Sequence, residues 1–402
     1  LKLSNQFKIP VTPRGAGVGY SGGSIPLKGG IALVFTKMKR ILNIDPENMS
    51  AEVEPGVTTI EFQERCRKAG LFYPPDPASL KTSTIGGNVA ENAGGPRCFK
   101  YGVTGNYVLG LEGFLVNGEK IHAGSAIIKD VAGYNLKSLL IGSEGTLAVV
   151  TKIILRLIPL PETNRIFRID FDSLRAGAAF INSVIHSGIA PSVLEFMDRT
   201  ALDASLDYLG FDPDTRVNAS VIIELDGTAI DVGRREEMLE GIIDVEQIIS
   251  FFKATDESKT EEIWKLRRNI SPAIARLRPK KINEDIVVPV KQIPEAVETI
   301  KSIGTELNLL IVLFGHFGDG NIHTNLMVDP DDADEMSRAE IALDRIFKYV
   351  IEIGGSISGE HGIGISKKPF MKIQFSDTEI ALFKGIKQVF DPENRLNPGK
   401  MF

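Results

Sequence analysis

The sequence predicts an α+β protein of two domains, and three observations predict it. Over the first 160 residues short apolar runs are separated by glycine-rich turns; from Arg165 onward strand-like and helix-like runs alternate; and Pro159-Leu160-Pro161 breaks the chain between the two textures. In the first part, period-two or continuous apolar runs predict strands over 31–35, 50–53, 108–115, 120–123 and 145–157, with turns such as Asn117-Gly118 between them. Helical spacing marks 59–69 and 86–93. In the second part strands are expected over 166–171, 217–225, 246–252 and 282–288, and helices over 174–187, 231–241, 293–307 and 332–353. A long helical stretch over 257–277 is expected to break near Pro272. That order suits an antiparallel sheet covered by helices. The tail is a helix over 378–390, ended by Pro392 and Pro398. No internal repeat or low-complexity tract is present.

Composition removes several function classes. The 402 residues are 43% apolar and 24% charged, ordinary for globular domains that bury their own cores. A net charge of −6 leaves no electrostatic footprint for nucleic acid. The longest apolar run, 307–314 broken by Asn308, suits a buried strand and is far too short to span a bilayer, so no transmembrane segment is expected. No secretory signal opens the chain. Two cysteines cannot build a disulfide framework or hold an iron–sulfur cluster, which points to a reducing, cytoplasmic setting. Residues 1–7 read like the end of an amphipathic helix, so the expectation is that upstream sequence is missing or that another element covers this face.

Chemistry concentrates in Gly315-His316-Phe317-Gly318-Asp319-Gly320-Asn321-Ile322-His323-Thr324-Asn325 and in Gly359-Glu360-His361-Gly362, which hold three of the five histidines. Asp319-Gly320 is a strong two-residue hairpin signal. Such a turn pairs Gly318 with Asn321, Phe317 with Ile322, and His316 with His323. Opposed residues on one face of an antiparallel pair have Cβ atoms about 5 Å apart, close enough for two imidazoles to share a divalent ion. Asn325 shares that face. Glu360 can add an oxygen, completing a two-histidine, one-carboxylate set with open positions that zinc, manganese or ferrous iron accepts. His361 then stands beside the metal, suited to proton transfer near neutral pH. Against this stands a plainer alternative, since a cross-strand histidine pair alone is more often a satisfied polar pair than a ligand set.

A second signal is glycine. Arg14-Gly15-Ala16-Gly17-Val18-Gly19-Tyr20-Ser21-Gly22 contains Gly17-x-Gly19-x-x-Gly22, a formal dinucleotide fingerprint. The sequence after it holds no helix start, so a nicotinamide Rossmann domain is rejected. What survives is a run of backbone N–H groups beside Arg14, suited to wrapping a pyrophosphate. Two more such stretches follow: Gly86-Gly87-Asn88-Val89-Ala90-Glu91-Asn92-Ala93-Gly94-Gly95, leading on to Tyr101-Gly102, and Gly142-Ser143-Glu144-Gly145-Thr146. Three in 150 residues imply that backbone approaches something large and flat.

These residues closely resemble the FAD-linked oxidases of the vanillyl-alcohol-oxidase type, in the branch of the glycolate oxidase flavin subunit, FAD-linked D-lactate dehydrogenase and D-2-hydroxyglutarate dehydrogenase. The resemblance runs over the whole chain. It implies a two-domain flavoprotein: an FAD-binding domain over 1–161 with a truncated first element, a cap domain over 162–370 that carries substrate and metal, and a segment over 371–402 returning to the FAD domain. It implies that the Arg14–Gly23 loop binds the FAD pyrophosphate. The other two glycine loops, with Tyr101 and Gly102, surround adenosine and isoalloxazine, and Asn397 lies near the ring. His316, His323 and Glu360 match the family's metal ligands, His361 its catalytic histidine, Asn325 a substrate contact, and Arg267 in Trp264-Lys265-Leu266-Arg267-Arg268 its carboxylate-binding arginine; Arg268 reads as a surface residue. Asn283 falls where the hydroxyglutarate enzymes carry a lysine for a second carboxylate, which favours lactate or glycolate, although Lys280 or Lys281 can substitute with a small register shift. The implied reaction is dehydrogenation of a small 2-hydroxy acid. Electrons then pass to an electron-transfer flavoprotein, an iron–sulfur companion subunit or a quinone-linked chain, with peripheral association at the inner membrane through such a partner. An oxygen-using oxidase and a non-catalytic flavin-binding scaffold are the alternatives. Cys98 is read as a small buried thiol rather than a flavin tether.

Overall fold

A computed structural model describes residues 1–243 and 248–402. The chain divides into two compact units, one of 1–95, 102–160 and 360–402, the other of 96–101 and 161–359.

In the first unit Val11–Arg14 pairs in parallel with Ile31–Val34. An antiparallel sheet runs in the order Ile41–Asp45, Ser50–Val53, Val149–Arg156, Val108–Phe114, Lys120–Gly124. Helix Thr59–Lys68 buries Phe62 and Cys66, four residues apart on one stripe. The tail helix Asp377–Phe390 begins at a capping box in which Ser376 and Glu379 satisfy each other's backbone N–H groups. After it the chain returns to the first strand: Val11 accepts from Asn397 N at 2.8 Å and donates to Arg395 O at 2.8 Å. Val11, Phe35, Val116, Val149 and Leu396 close a core around this return. Strand Val11–Arg14 was not among the expected elements, because Pro13 and the glycines after it hide so short a run.

The second unit is built on a seven-stranded antiparallel sheet in the order Ile248–Lys253, Thr163–Phe171, Ala219–Gly227, Val193–Asp198, Leu310–Gly315, Asn321–Val328, Lys280–Val287. Of the strand expected over 246–252, Glu246 and Gln247 lie outside the described residues; the rest forms Ile248–Lys253. The helices at 174–186, 229–241, 293–306 and 333–352 fall where the spacing places them. The long helical stretch breaks near Pro272 as expected, at Asn269. Pro272 sits in the first turn of Ile270–Ile274, where a missing N–H costs no hydrogen bond.

Strand Val193–Asp198 and helix Arg199–Leu209 have no counterpart among the expected elements. All six residues of the strand are buried, so its acidic residues break the apolar run without alternating. Asp198 caps the helix through Ala201 N at 2.8 Å and also accepts from Leu313 N at 2.9 Å and Lys301 Nζ at 2.7 Å. One short hexapeptide, 96–101, also belongs to this unit. Arg97 Nη2 donates to Glu224 at 3.0 Å, Lys100 Nζ to Asp226 Oδ1 at 2.5 Å and Tyr101 OH to Asp226 Oδ2 at 2.7 Å.

Candidate active site

The expected hairpin register is corrected. His316 does not pair with His323; Phe314 does. A type I′ turn needs positive φ at both central residues, and only Gly320 has it, at +82°. The chain instead turns through a short 3₁₀ segment, Phe317–Asp319, closed by Gly320 N to Phe317 O at 3.1 Å and Asn321 N to His316 O at 3.2 Å. A Cβ on Gly320 would lie 2.1 Å from Val288 O, so no other residue fits there.

The two imidazoles meet nevertheless. His316 stands just beyond the strand end at Gly315, and the rings of His316 and His323 lie 5.1 Å apart at 84° to each other. Both are buried. Side chains at 195 and 197, 314 and 316, 323 and 325, and 283 and 285 share one face of the sheet, as the pairings of these strands require. Asp285 extends the arrangement along the chain by accepting from Gly359 N at 2.9 Å. Glu360 follows on the next peptide, where the second unit ends. His316 and His323 are thus brought together within the second unit, while Glu360 opens the last segment of the first.

Glu195, absent from the expected set, organises this face. It is fully buried and accepts from His316 Nδ1 and from Arg267 Nε. Burial alone would push its carboxyl up, but the Arg267 guanidinium and the His316 hydrogen bond hold it below the ordinary carboxylate range. Arg267, in helix Glu257–Arg268, lies over the Phe314 ring at 5.0 Å. Its Nη groups have no hydrogen-bond partner among the described residues, although the side chain is only 8% exposed. An acid inside an otherwise apolar run, Val193-Leu194-Glu195-Phe196-Met197, was the sequence signal that could have found Glu195.

Asn325 is entirely buried and held at both ends of its amide, accepting from Asn283 Nδ2 at 2.8 Å and donating to Val312 O at 3.3 Å. Asn283 lies directly opposite it in the sheet. Lys281, two residues back, donates to Ser271 Oγ at 2.7 Å, and burial lowers its amine from the usual range.

In the first unit the glycine loop after Arg14 runs along the surface, with Gly17 at φ +72° and Val18 and Tyr20 exposed. Among the described residues the N–H groups of Gly17, Val18 and Gly19 have no protein acceptor. Asn397 donates to Gly23 O at 2.7 Å and Glu144 O at 2.8 Å, while its buried Oδ1 has no hydrogen-bond partner among the described residues. His361 packs on Tyr20 with ring centroids 4.8 Å apart. The Glu144 carboxylate accepts from Ile363 N at 2.7 Å and Gly364 N at 2.8 Å, fixing the turn that carries His361; burial pushes this carboxyl up.

Several residues expected around the cofactor thus have partners within the protein. Asn88 Nδ2 donates to Thr59 Oγ1 at 2.8 Å, Asn92 Oδ1 accepts from Gly105 N at 2.8 Å, and Thr146 Oγ1 donates to Ser143 O at 2.7 Å. Gly86, Gly87 and Ala90 lie inside helix Ile85–Glu91 rather than in a loop, whereas Ala93, Gly94, Gly95, Gly142 and Gly145 lie in turns and irregular segments.

Comparison with known proteins shows the family and the fold. Residues 160–401 match the model of the FAD-linked oxidase C-terminal domain, and residues 1–124 match an FAD-binding domain. The glycolate oxidase subunit GlcD of Bacillus subtilis is 42% identical over 402 residues, covering 100% of this chain and 86% of that protein. The D-lactate dehydrogenase of Anaerostipes hadrus is 35% identical over 415 residues, covering 100% and 86%. Among solved structures, p-cresol methylhydroxylase superposes with a TM-score of 0.81 at 16% identity, covering 99% of this chain and 85% of that one; this likeness concerns the fold alone. Fold and loops together define a two-domain flavoprotein. The chain belongs to the FAD-linked oxidases, in the vanillyl-alcohol-oxidase-type branch. The unclaimed N–H groups of Gly17–Gly19 and the buried Oδ1 of Asn397 suit a large polyanionic cofactor whose ring carries donors.

Proposed function

We propose that this oxidoreductase dehydrogenates a small 2-hydroxy acid, D-lactate or glycolate first among them, to the 2-oxo acid. The observation that carries the reading is the pair of buried imidazoles, His316 and His323, with ring centroids 5.1 Å apart, on a sheet face where Glu195 joins His316 to Arg267. Two imidazoles and a carboxylate are a donor set for a divalent cation such as zinc, manganese or ferrous iron, which would act as a Lewis acid on a coordinated hydroxyl. When bound, FAD supplies the hydride-accepting chemistry.

The residues divide the remaining tasks. Arg267 receives the substrate carboxylate on its two Nη groups, the edge of the fork that Glu195 does not occupy. His361 takes the hydroxyl proton on a ring nitrogen, its turn held in place by Glu144. Asn325, locked by Asn283, forms the polar floor beside His323. An amide at 283, where the hydroxyglutarate enzymes carry a lysine, favours a monocarboxylate. The half-buried Lys281 amine on the same face is the observation that keeps a dicarboxylate such as D-2-hydroxyglutarate as a second reading.

Relatives named as subunits of glycolate oxidase support a companion subunit, and the acceptor in this proposal is an electron-transfer flavoprotein or an iron–sulfur companion, with oxygen as the alternative. No helix among the described residues is long and apolar enough to cross a membrane. The test is anaerobic bleaching of the flavin by a panel of D- and L-2-hydroxy acids, with and without chelator. Bleaching by D-lactate or glycolate that chelation abolishes is the expected result. A flavin that no 2-hydroxy acid reduces, even with metal restored, removes the proposal.

A further inference from the structure

Glu195 is the least expected group of the second unit: a carboxylate with no exposed surface, in the middle of a seven-stranded sheet, flanked by Leu194 and Phe196. Burying a charge costs several kcal/mol unless its partners are well placed, and an apolar replacement of such a pair is often neutral or stabilising. Stability alone therefore gives no reason for an acid at this position. Its two partners do give one. One carboxylate oxygen accepts from Nδ1 of His316 and the other from Nε of Arg267, so a single rigid group touches both the candidate metal ligand and the candidate anion anchor.

Each contact fixes a degree of freedom that the neighbouring chemistry needs. A hydrogen on Nδ1 of neutral His316 confines the lone pair to Nε2, so the ring offers one nitrogen, in one tautomer and one orientation. Holding Arg267 by Nε pins the plane of its guanidinium, which the Phe314 ring also supports, and leaves the Nη edge without a partner among the described residues. Phe314 lies directly opposite His323 in the sheet, with the two ring centroids 5.3 Å apart, so the same packing reaches the second imidazole.

We propose that Glu195 is a positioning residue that orients metal ligand and carboxylate anchor together, so that losing its charge weakens both kinds of binding in one substitution. This rests on the metal reading above. Glu195→Gln keeps the shape and turns one acceptor oxygen into an amide, which can no longer accept from both partners.

The test is Co(II) or Zn(II) affinity of the purified flavoprotein, by equilibrium dialysis and, for cobalt, by its visible bands, together with KM and kcat. Support for a histidine ligand through a carboxylate typically contributes about 10–100-fold in metal affinity, and that loss is expected of E195Q. KM for the hydroxy acid should rise as well when measured at saturating metal. Glu195→Asp, which keeps the charge, should recover part of both losses, an outcome that a purely structural role would not give. A wild-type protein that retains no metal would remove the metal reading itself. A wild type that binds while E195Q binds within threefold of it would overturn this inference alone. Should neither variant fold, nitrogen-15 shifts of the wild-type histidines decide: a neutral His316 protonated at Nδ1 is expected, and one protonated at Nε2 would overturn it.

Discussion

In the first unit the groups at the candidate site sit on loops and act through backbone: the N–H groups of Gly17 to Gly19, and a turn at Ile363 and Gly364 strapped down by Glu144. In the second unit they sit on or beside strands of one sheet and act through side chains, with Glu195, His316, His323 and Asn325 on a common face. A loop of backbone donors wraps a long polyanion whatever its side chains, whereas a sheet face sets separations between side chains to a few tenths of an ångström. The difference teaches which kind of damage each unit tolerates. Side-chain changes should be severe in the second unit, and backbone changes in the first.

The largest expected effect tests an exception to that division. His361 is a side chain on a loop, and His361→Ala should lower kcat by about 10²–10⁴ while flavin content stays at the wild-type level, because a positioned base is typically worth that much. Wild-type turnover in this variant would return the first unit wholly to backbone chemistry. Next comes Arg267→Lys, which keeps the charge and loses the fork. Charge-assisted hydrogen bonds are worth about 1.5–3 kcal/mol each, so KM should rise about 10- to 100-fold with a smaller change in kcat. An unchanged KM would mean that the anchor lies elsewhere.

Gly17→Ala sharpens the other side. At φ +72° an added Cβ is strained and would meet the Arg14 guanidinium at 2.4 Å. A cost of about 1–2 kcal/mol should weaken FAD binding by about 5–30-fold, read by quenching of flavin fluorescence. Equal affinity would show that the loop's N–H groups are not the phosphate donors. The smallest effect lies on the outer sheet of the first unit. There the hydrogen bonds from Lys120 and Lys152 bring the Glu112 carboxyl down to about 2. Because this pKa is depressed on folding, the stabilisation is fully present above the unfolded value and fades as pH falls through about 2. Glu112→Gln should cost at most about 1 kcal/mol in urea melts at pH 6, with the difference shrinking below pH 4.

How much of this was legible in the sequence follows the same division. The glycine loops announced a large polyanionic ligand by composition, yet composition does not say that Glu144 would grip Ile363 and Gly364, because that contact joins residues more than 200 positions apart. On the sheet side, Asp319-Gly320 correctly placed a reversal, and the alternation His323-x-Asn325 correctly placed one face. The register slipped because a dipeptide signals a turn without fixing how many residues it contains, and Asp319 stays helical while Gly320 alone goes left-handed. Glu195 was easy to overlook for a physical reason. A strand buried on both faces has no period to read, and an acid within it resembles the end of a run until its two partners are seen.

The hexapeptide 96–101 carries a consequence for anyone who would dissect the molecule. Its cations neutralise Glu224 and Asp226, both buried on strand Ala219–Gly227. An excised fragment cut at the obvious proline boundary would strand two carboxylates in an apolar interior, and orphaned buried charges of this kind cost about 3–5 kcal/mol apiece. Recombinant shuffling among relatives must therefore transplant this small outlier along with the sheet it serves, or the chimera inherits an acid with no counter-ion.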